Sequence, residues 1–70
     1  MLVKVYSTND PVHYWNYENF KEAHNARPVK WKMEGNYIYY IVYETNKELS
    51  QEALEDNGLS AEIIDSLDLV

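Results

Sequence analysis

The chain has 70 residues, 46% of them apolar, which predicts one small packed domain over residues 1–70 and argues against disorder. It has no cysteine, which excludes disulfides and a cysteine nucleophile, and two lone histidines do not form a zinc site, so no cofactor or metal is expected. The net charge of -6 disfavours direct binding to double-stranded DNA, and the lack of a membrane-length apolar run or a signal peptide predicts a cytoplasmic protein that binds no membrane.

Negative charge is concentrated in the last third of the chain. Residues 1–47 hold five acidic and six basic side chains, whereas residues 48–70 hold seven carboxylates and no lysine or arginine. The seven carboxylates are those of Glu48, Glu52, Glu55, Asp56, Glu62, Asp65 and Asp68. This distribution predicts a surface that attracts basic proteins, and the simplest alternative is a solvated face that only keeps the protein soluble.

A helix is predicted in the first half of the chain, from about Tyr17 to His24. Asn16 is a good N-cap for it because its side chain can accept from a free backbone N–H of the first turn. Trp15 and Phe20 stand at the two positions of a hydrophobic staple, which supports the same start.

Polar residues flank this helix on both sides. Asn25 suits its C-terminal cap, and Asp10 and Pro11 predict a preceding helical turn over residues 11–15. Asp10 and His13 have the spacing of a general-base pair, but the same spacing is common on ordinary helices. Because no other nucleophile or phosphate-binding loop accompanies them, no catalytic residue is assigned and an enzyme is not expected.

The clearest predicted element is a β-hairpin over about residues 29–44. Residues 29–33 alternate apolar side chains with lysines, and residues 37–43 are apolar or aromatic on both faces, as is typical of a central strand. A two-residue turn at Gly35-Asn36 would pair Met33 with Ile38, Trp31 with Tyr40 and Val29 with Val42. A three-residue loop would instead place Tyr37, Tyr39 and Ile41 opposite the first strand.

The remaining segments complete a small α+β prediction. Residues 2–6 are rich in β-branched side chains and are expected to form a strand beside the tyrosine-rich one. Ser50 and Ser60 each precede an apolar-periodic run, which predicts two acidic helices over about residues 50–57 and 60–67, with Gly58 ending the first. The predicted order is β-α-β-β-α-α, a three-stranded sheet with the helices packed on one face.

The leading functional prediction is a small acidic module that binds a basic surface of a larger protein. On a helix starting at Ser50, the side chains of Glu52, Glu55 and Asp56 share one face, at a spacing of about 5–6 Å that is close to that of nucleic-acid phosphates. In size, charge and lack of cysteine the chain resembles the small acidic inhibitors of phages and mobile elements. That resemblance implies an inhibitor that occupies a nucleic-acid groove by charge mimicry. A helix-turn-helix role is disfavoured because the second helix has no basic residue.

Seven tyrosines suggest an alternative surface. They cannot all be interior in so small a core, and an aromatic sheet face is predicted from Tyr37, Tyr39, Tyr43, Lys30 and Lys32. Such a face would serve as an interface for self-association into a homodimer, or would stack the bases of a single-stranded nucleic acid. The remaining alternative is that helices cover it and the tyrosines form the rim of the core.

Overall fold

The computed structural model describes residues 1–8 and 12–70 and has an α+β architecture, as predicted. The strands are β1 (Leu2–Ser7), β2 (Arg27–Glu34), β3 (Tyr37–Glu44) and β4 (Leu59–Ile64). The helices are α1 (Tyr14–Ala23), α2 (Gln51–Asp56) and a C-terminal 3-10 turn (Leu67–Leu69).

The strands form one antiparallel sheet in the order β2-β3-β1-β4. The tyrosine-rich strand β3 is interior and pairs with β1 on one side and β2 on the other, which confirms its predicted central position. The element order β-α-β-β-α-β is that of the split βαβ arrangement. Because such arrangements host many activities, the function has to be argued from the surfaces of this chain.

The predicted second C-terminal helix over residues 60–67 is wrong, and with it the prediction of a three-stranded sheet. Residues 59–64 form β4, which pairs with the whole of β1 from Leu2↔Ile64 to Ser7↔Leu59. Two neighbouring isoleucines favour a strand, and β1 offers an open edge for them. Tertiary pairing therefore outweighs the local cap signal at Ser60.

Helix α1 begins earlier than predicted. His13 is its N-cap and Asn16 lies in the first turn, where its Oδ1 accepts from the His13 N–H at 3.1 Å. Trp15 is 59% exposed, so the predicted staple does not form. The C-cap of α1 is His24, one residue before the predicted Asn25, and Asn25 follows it with a left-handed φ of 47° that ends the helix. The turn predicted from Asp10 and Pro11 begins outside the described residues.

The hairpin has the predicted turn but a different register. Gly35 takes a φ of 59°, as a two-residue type II′ turn requires, and Met33 pairs with Ile38 as predicted. Beyond that pair the register shifts by one residue, and Trp31 pairs with Ile41 instead of Tyr40. The same shift makes Lys30, not Val29, the partner of Val42, and a second shift between Lys30 and Pro28 restores the predicted offset at Pro28↔Tyr43.

The first irregularity has a packing cause. Ile38 and Ile41 are both buried in the same core cluster, although strict alternation would place them on opposite faces of β3. The extra residue inserted at Tyr39 brings both isoleucines to the core side. Tyr43 follows Ile41 on that side and is only 2% exposed.

Both faces of β3 are buried along part of its length. The helices cover one face, where Phe20 of α1 and Leu54 of α2 join the strand residues of the core. On the other face Val42 is 0% exposed, and its cross-strand neighbour Lys30 donates through Nζ to the carbonyls of Leu67 at 3.3 Å and Val70 at 2.8 Å. The C-terminal segment therefore lies against this second face.

Two buried tyrosines make the fold sensitive to alkaline pH. Burial raises the pKa of Tyr17 and, more strongly, that of Tyr43 above the ordinary value of about 10. A raised folded-state pKa stabilises the protein below about pH 10 and loses that contribution as the pH rises further. We expect the urea midpoint to fall above about pH 10, and to fall less steeply for Tyr43→Phe. An identical alkaline loss in Tyr43→Phe would show that this hydroxyl is not responsible.

Candidate functional site

Helix α2 presents three of the predicted acidic residues on a fixed support. Ser50 is its N-cap, as predicted, and accepts from the Ala53 N–H at 3.2 Å. Leu54 is 3% exposed and anchors the helix in the core. The three carboxylates of α2 are those of Glu52, Glu55 and Asp56, and all three side chains are exposed.

The other predicted carboxylates do not extend this surface as one row. Glu48 precedes the helix, Asp65 follows β4, and Asp68 lies in the 3-10 turn. Glu62 lies opposite Lys4 in the sheet, on the face without helices. All seven side chains are exposed, and the only ion pair within residues 1–8 and 12–70 is between Lys21 and Glu18.

The predicted aromatic face is only partly assembled. Tyr43 lies on the helix side and is buried, and Lys30 is engaged by the C-terminal segment. Tyr37, Tyr39 and Lys32 remain together on the face without helices. The register shift at Tyr39 is the cause of this division. A tyrosine face is thus formed by Tyr6, Tyr37, Tyr39, Tyr40, Lys4 and Lys32 around an open depression of about 450 Å³.

Lysines and carboxylates balance one another on the tyrosine face. Lys4 Nζ lies 4.9 Å from the centroid of the Tyr40 ring, and Lys32 Nζ lies 5.0 Å from that of Tyr39. The Tyr39 hydroxyl donates to Glu34 Oε2 at 2.9 Å, and this hydrogen bond raises the pKa of Tyr39. The rings can stack on a planar ligand, but the nearby carboxylates offset the attraction of the two lysines for an anion.

A second, more apolar surface lies on the helix side of the sheet, between α1 and the edge strand β2. This α1–β2 groove has a volume of about 160 Å³. It is lined by Tyr14, Glu18, Lys21, Pro28, Trp31, Met33, Ile41 and Tyr43. Past Met33 it continues into a depression lined also by Trp15, Asn36 and Ile38.

Large apolar side chains stand exposed along the groove. Tyr14 is 56% exposed, Trp15 59%, Trp31 57% and Met33 48%. Contiguous apolar surface rimmed by polar groups is typical of protein-binding sites, and tryptophan, tyrosine and methionine are enriched there. The groove exists because one ten-residue helix and one six-residue helix leave β2 uncovered on the helix side of the sheet.

Polar groups on α1 form one wall of the groove. Lys21 Nζ lies 3.5 Å from Glu18 Oε2. The Tyr14 hydroxyl, and to a smaller extent Lys21, hold the pKa of Glu18 below its usual value. The carboxylate therefore stays ionised at neutral pH, and with Lys21 it gives the apolar groove a rim of two opposite, paired charges.

The groove is not predicted from the sequence. Trp15 was expected in a hydrophobic staple, and Trp31 and Met33 were expected to pair with the tyrosine-rich strand. The available signal was a mismatch between the large apolar residues of β2 and the position of that strand at the edge of the sheet. That mismatch becomes decisive only once the strand order is known.

Two further findings concern membranes and metals. Within residues 1–8 and 12–70 there is no helix long and apolar enough to cross a membrane. The same residues contain no cluster of three or more histidine, cysteine or acidic side chains that could hold a metal ion.

A scan against protein-family models, a search of curated proteins and a search of solved structures each returned no match to this chain.

Proposed function

We propose that this chain is a small acidic protein-binding module that acts as an inhibitor or regulator by docking on a basic surface of a larger protein. The observation that carries the proposal is the α1–β2 groove with its continuation past Met33, where Tyr14, Trp15, Trp31 and Met33 are each about half exposed. Four large apolar side chains that stay in contact with water gain none of the free energy of apolar burial. A docked partner would cover them and supply that free energy.

The size of the chain is sufficient for such an interface. A standard protein interface buries about 800 Å² on each partner. The accessible surface of this chain is 4733 Å², so an interface of that kind would use about a sixth of it. Groove and acidic helix are close enough to act together, because α1 lies between them: Asn16 and Asn19 of α1 both donate to Asn57 at the end of α2.

Charge defines the chemistry of the partner. The carboxylates of Glu52, Glu55 and Asp56 favour a basic surface, and they would speed its association and fix its orientation. In the phage-inhibitor form of the proposal, these three carboxylates stand in for phosphates of a nucleic acid. Glu62 lies on the other face of the sheet and is not part of that set.

The tyrosine face supports the alternative functions less well. A single-stranded nucleic acid would meet two lysines offset by Glu34 and Glu62, in a chain with a net charge of -6. Self-association through a wider area of the same side of the sheet would have to accommodate the C-terminal segment, which is bound by Lys30 there.

The proposal predicts that partner capture depends on the three carboxylates of α2. The variant Glu52→Gln/Glu55→Gln/Asp56→Asn removes their charge with little change in shape, and exposed substitutions of this kind alter stability by about 0.5 kcal/mol or less each. With immobilised protein and a bacterial lysate at low salt, we expect mainly basic proteins to be retained. The variant should lose them by about tenfold or more, as should the wild type at high salt.

A matched control separates position from net charge. Glu22→Gln/Glu34→Gln/Glu44→Gln removes the same charge from exposed sites elsewhere and keeps an acceptor for the Tyr39 hydroxyl. This control should retain the captured proteins. Equal retention by wild type and the α2 variant, measured by quantitative mass spectrometry, would contradict the charge-directed proposal.

A further inference from the structure

The two edges of the sheet differ in how they are protected against pairing. On β2, Pro28 lacks an N–H, Lys30 and Lys32 add charge, and two register shifts distort the strand. Each of these features discourages a further strand from pairing. On β4 there is no proline, no lysine and no register shift along its pairing with β1.

The sequence of β4 is complementary to itself in one antiparallel register. A two-fold axis at Ala61 would place Ala61 opposite its own copy, Leu59 opposite Ile63 and Ser60 opposite Glu62. Centring the pair on Glu62 instead would set two carboxylates against each other, which is unfavourable. The register centred on Ala61 therefore pairs most of β4 without placing the Glu62 carboxylates of the two copies opposite each other.

An exposed apolar side chain on β4 favours pairing. Ile63 is 59% exposed although its cross-strand neighbour Val3 is completely buried. Within the described residues β4 pairs on one side only, with β1. A second copy in the Ala61 register would cover Ile63 beside Leu59 and would satisfy the outward backbone groups of β4.

We infer that this chain forms a two-fold symmetric dimer through β4, with one continuous antiparallel sheet across both copies. This goes beyond the proposed function, because the α1–β2 groove lies at the opposite edge and remains open in both copies. The dimer is weak, since a single short strand contributes less than a standard interface. Salt strengthens it by screening the acidic α2 helices, which pack beside β4, whereas salt weakens binding to a basic partner.

Single cysteines test the register directly because the natural chain has none. Residues directly opposite in an antiparallel pair have Cα atoms about 4.5–5.5 Å apart, within the range of a disulfide. Under mild oxidation Ala61→Cys should give at least about fivefold more disulfide-linked dimer than Ile63→Cys. Ile63 is the more exposed of the two, so random collision would give the opposite order. Equal or reversed yields would overturn the proposal.

A charge change at Ser60 gives an independent test on the reduced protein. Ser60 would face Glu62 of the second copy, so Ser60→Lys should tighten the dimer and Ser60→Glu should loosen it, each by about threefold or more. Sedimentation equilibrium measures both, and circular dichroism verifies the fold. Wild type that remains monomeric at the highest soluble concentration in high salt, or two variants that behave alike, would overturn the dimer and leave the partner proposal intact.

Discussion

Replacing His24 by phenylalanine is expected to lower the free energy of unfolding by about 2–3 kcal/mol although the aromatic ring is kept. His24 is 1% exposed and stacks on Phe20 with 4.1 Å between ring centroids. Its Nε2 accepts from the Ser50 N–H at 2.9 Å, and its Nδ1 lies 2.9 Å from the Phe20 carbonyl oxygen. Phenylalanine would remove the acceptor of the partly buried Ser50 N–H, and its ring would have to fit the closely packed space that the His24 ring occupies.

The effect is large because the ring of His24 connects α1 to α2, while its backbone, which the substitution leaves unchanged, binds a third segment. His24 ends α1, its ring holds Ser50 at the start of α2, and its carbonyl accepts from Thr45 Oγ1 at 2.6 Å after β3. A chain of this size has a stability near the lower end of about 5–15 kcal/mol. We therefore also expect α2 amides to exchange faster in His24→Phe than in wild type.

Chemical denaturation of a second histidine variant provides the control. His13 is exposed and stacks on Trp15 with 4.0 Å between ring centroids. His13→Phe should change the free energy of unfolding by no more than about 0.5 kcal/mol. Equal losses for the two variants would mean that the hydrogen bonds of His24 do not hold α2 in place.

Truncating Trp31 is expected to abolish most partner binding with little loss of stability. Trp31 is 57% exposed in the free protein, so Trp31→Ala removes little core packing. In the complex the indole would be covered, and an anchor of this type is worth about 2 kcal/mol or more, about a 30-fold loss of affinity. Titration calorimetry with a protein captured by the wild type measures the change.

Leu69→Ala is the matched control, because Leu69 is 65% exposed and lies in the C-terminal 3-10 turn, away from the groove. Its affinity for the partner should equal that of wild type. A loss in Leu69→Ala as large as in Trp31→Ala would indicate that exposed apolar area in general, and not the groove, governs binding.

Local signals predicted the parts of the fold that depend on backbone conformation. Gly35 and Gly58 take φ values of 59° and 66°, as their turns require, and Ser50 caps α2. The segment after Ser60 was mispredicted because a cap signal also precedes it. The run after Ser50 consists of good helix formers, whereas two β-branched isoleucines follow Ser60 and meet the free edge of β1.

The candidate site depended on features that the sequence does not encode locally. The register shift at Tyr39 sends Tyr43 to the core, and its cause is the shared burial of Ile38 and Ile41. The groove depends on strand order, because β2 is left uncovered only when the helices pack over the other strands. The acidic segment itself is evident from composition, and its carboxylates on α2 are exposed.

The two tryptophans of the chain are Trp15 and Trp31, and both line the groove or its continuation. Their indole N–H resonances therefore report directly on the central claim that the partner docks in the α1–β2 groove. Labelled protein is titrated with a captured partner. We predict that both indole signals shift or broaden more strongly than the backbone amide signals of Tyr37 and Tyr40. Unchanged indole signals, with shifts confined to the tyrosine face, would contradict it.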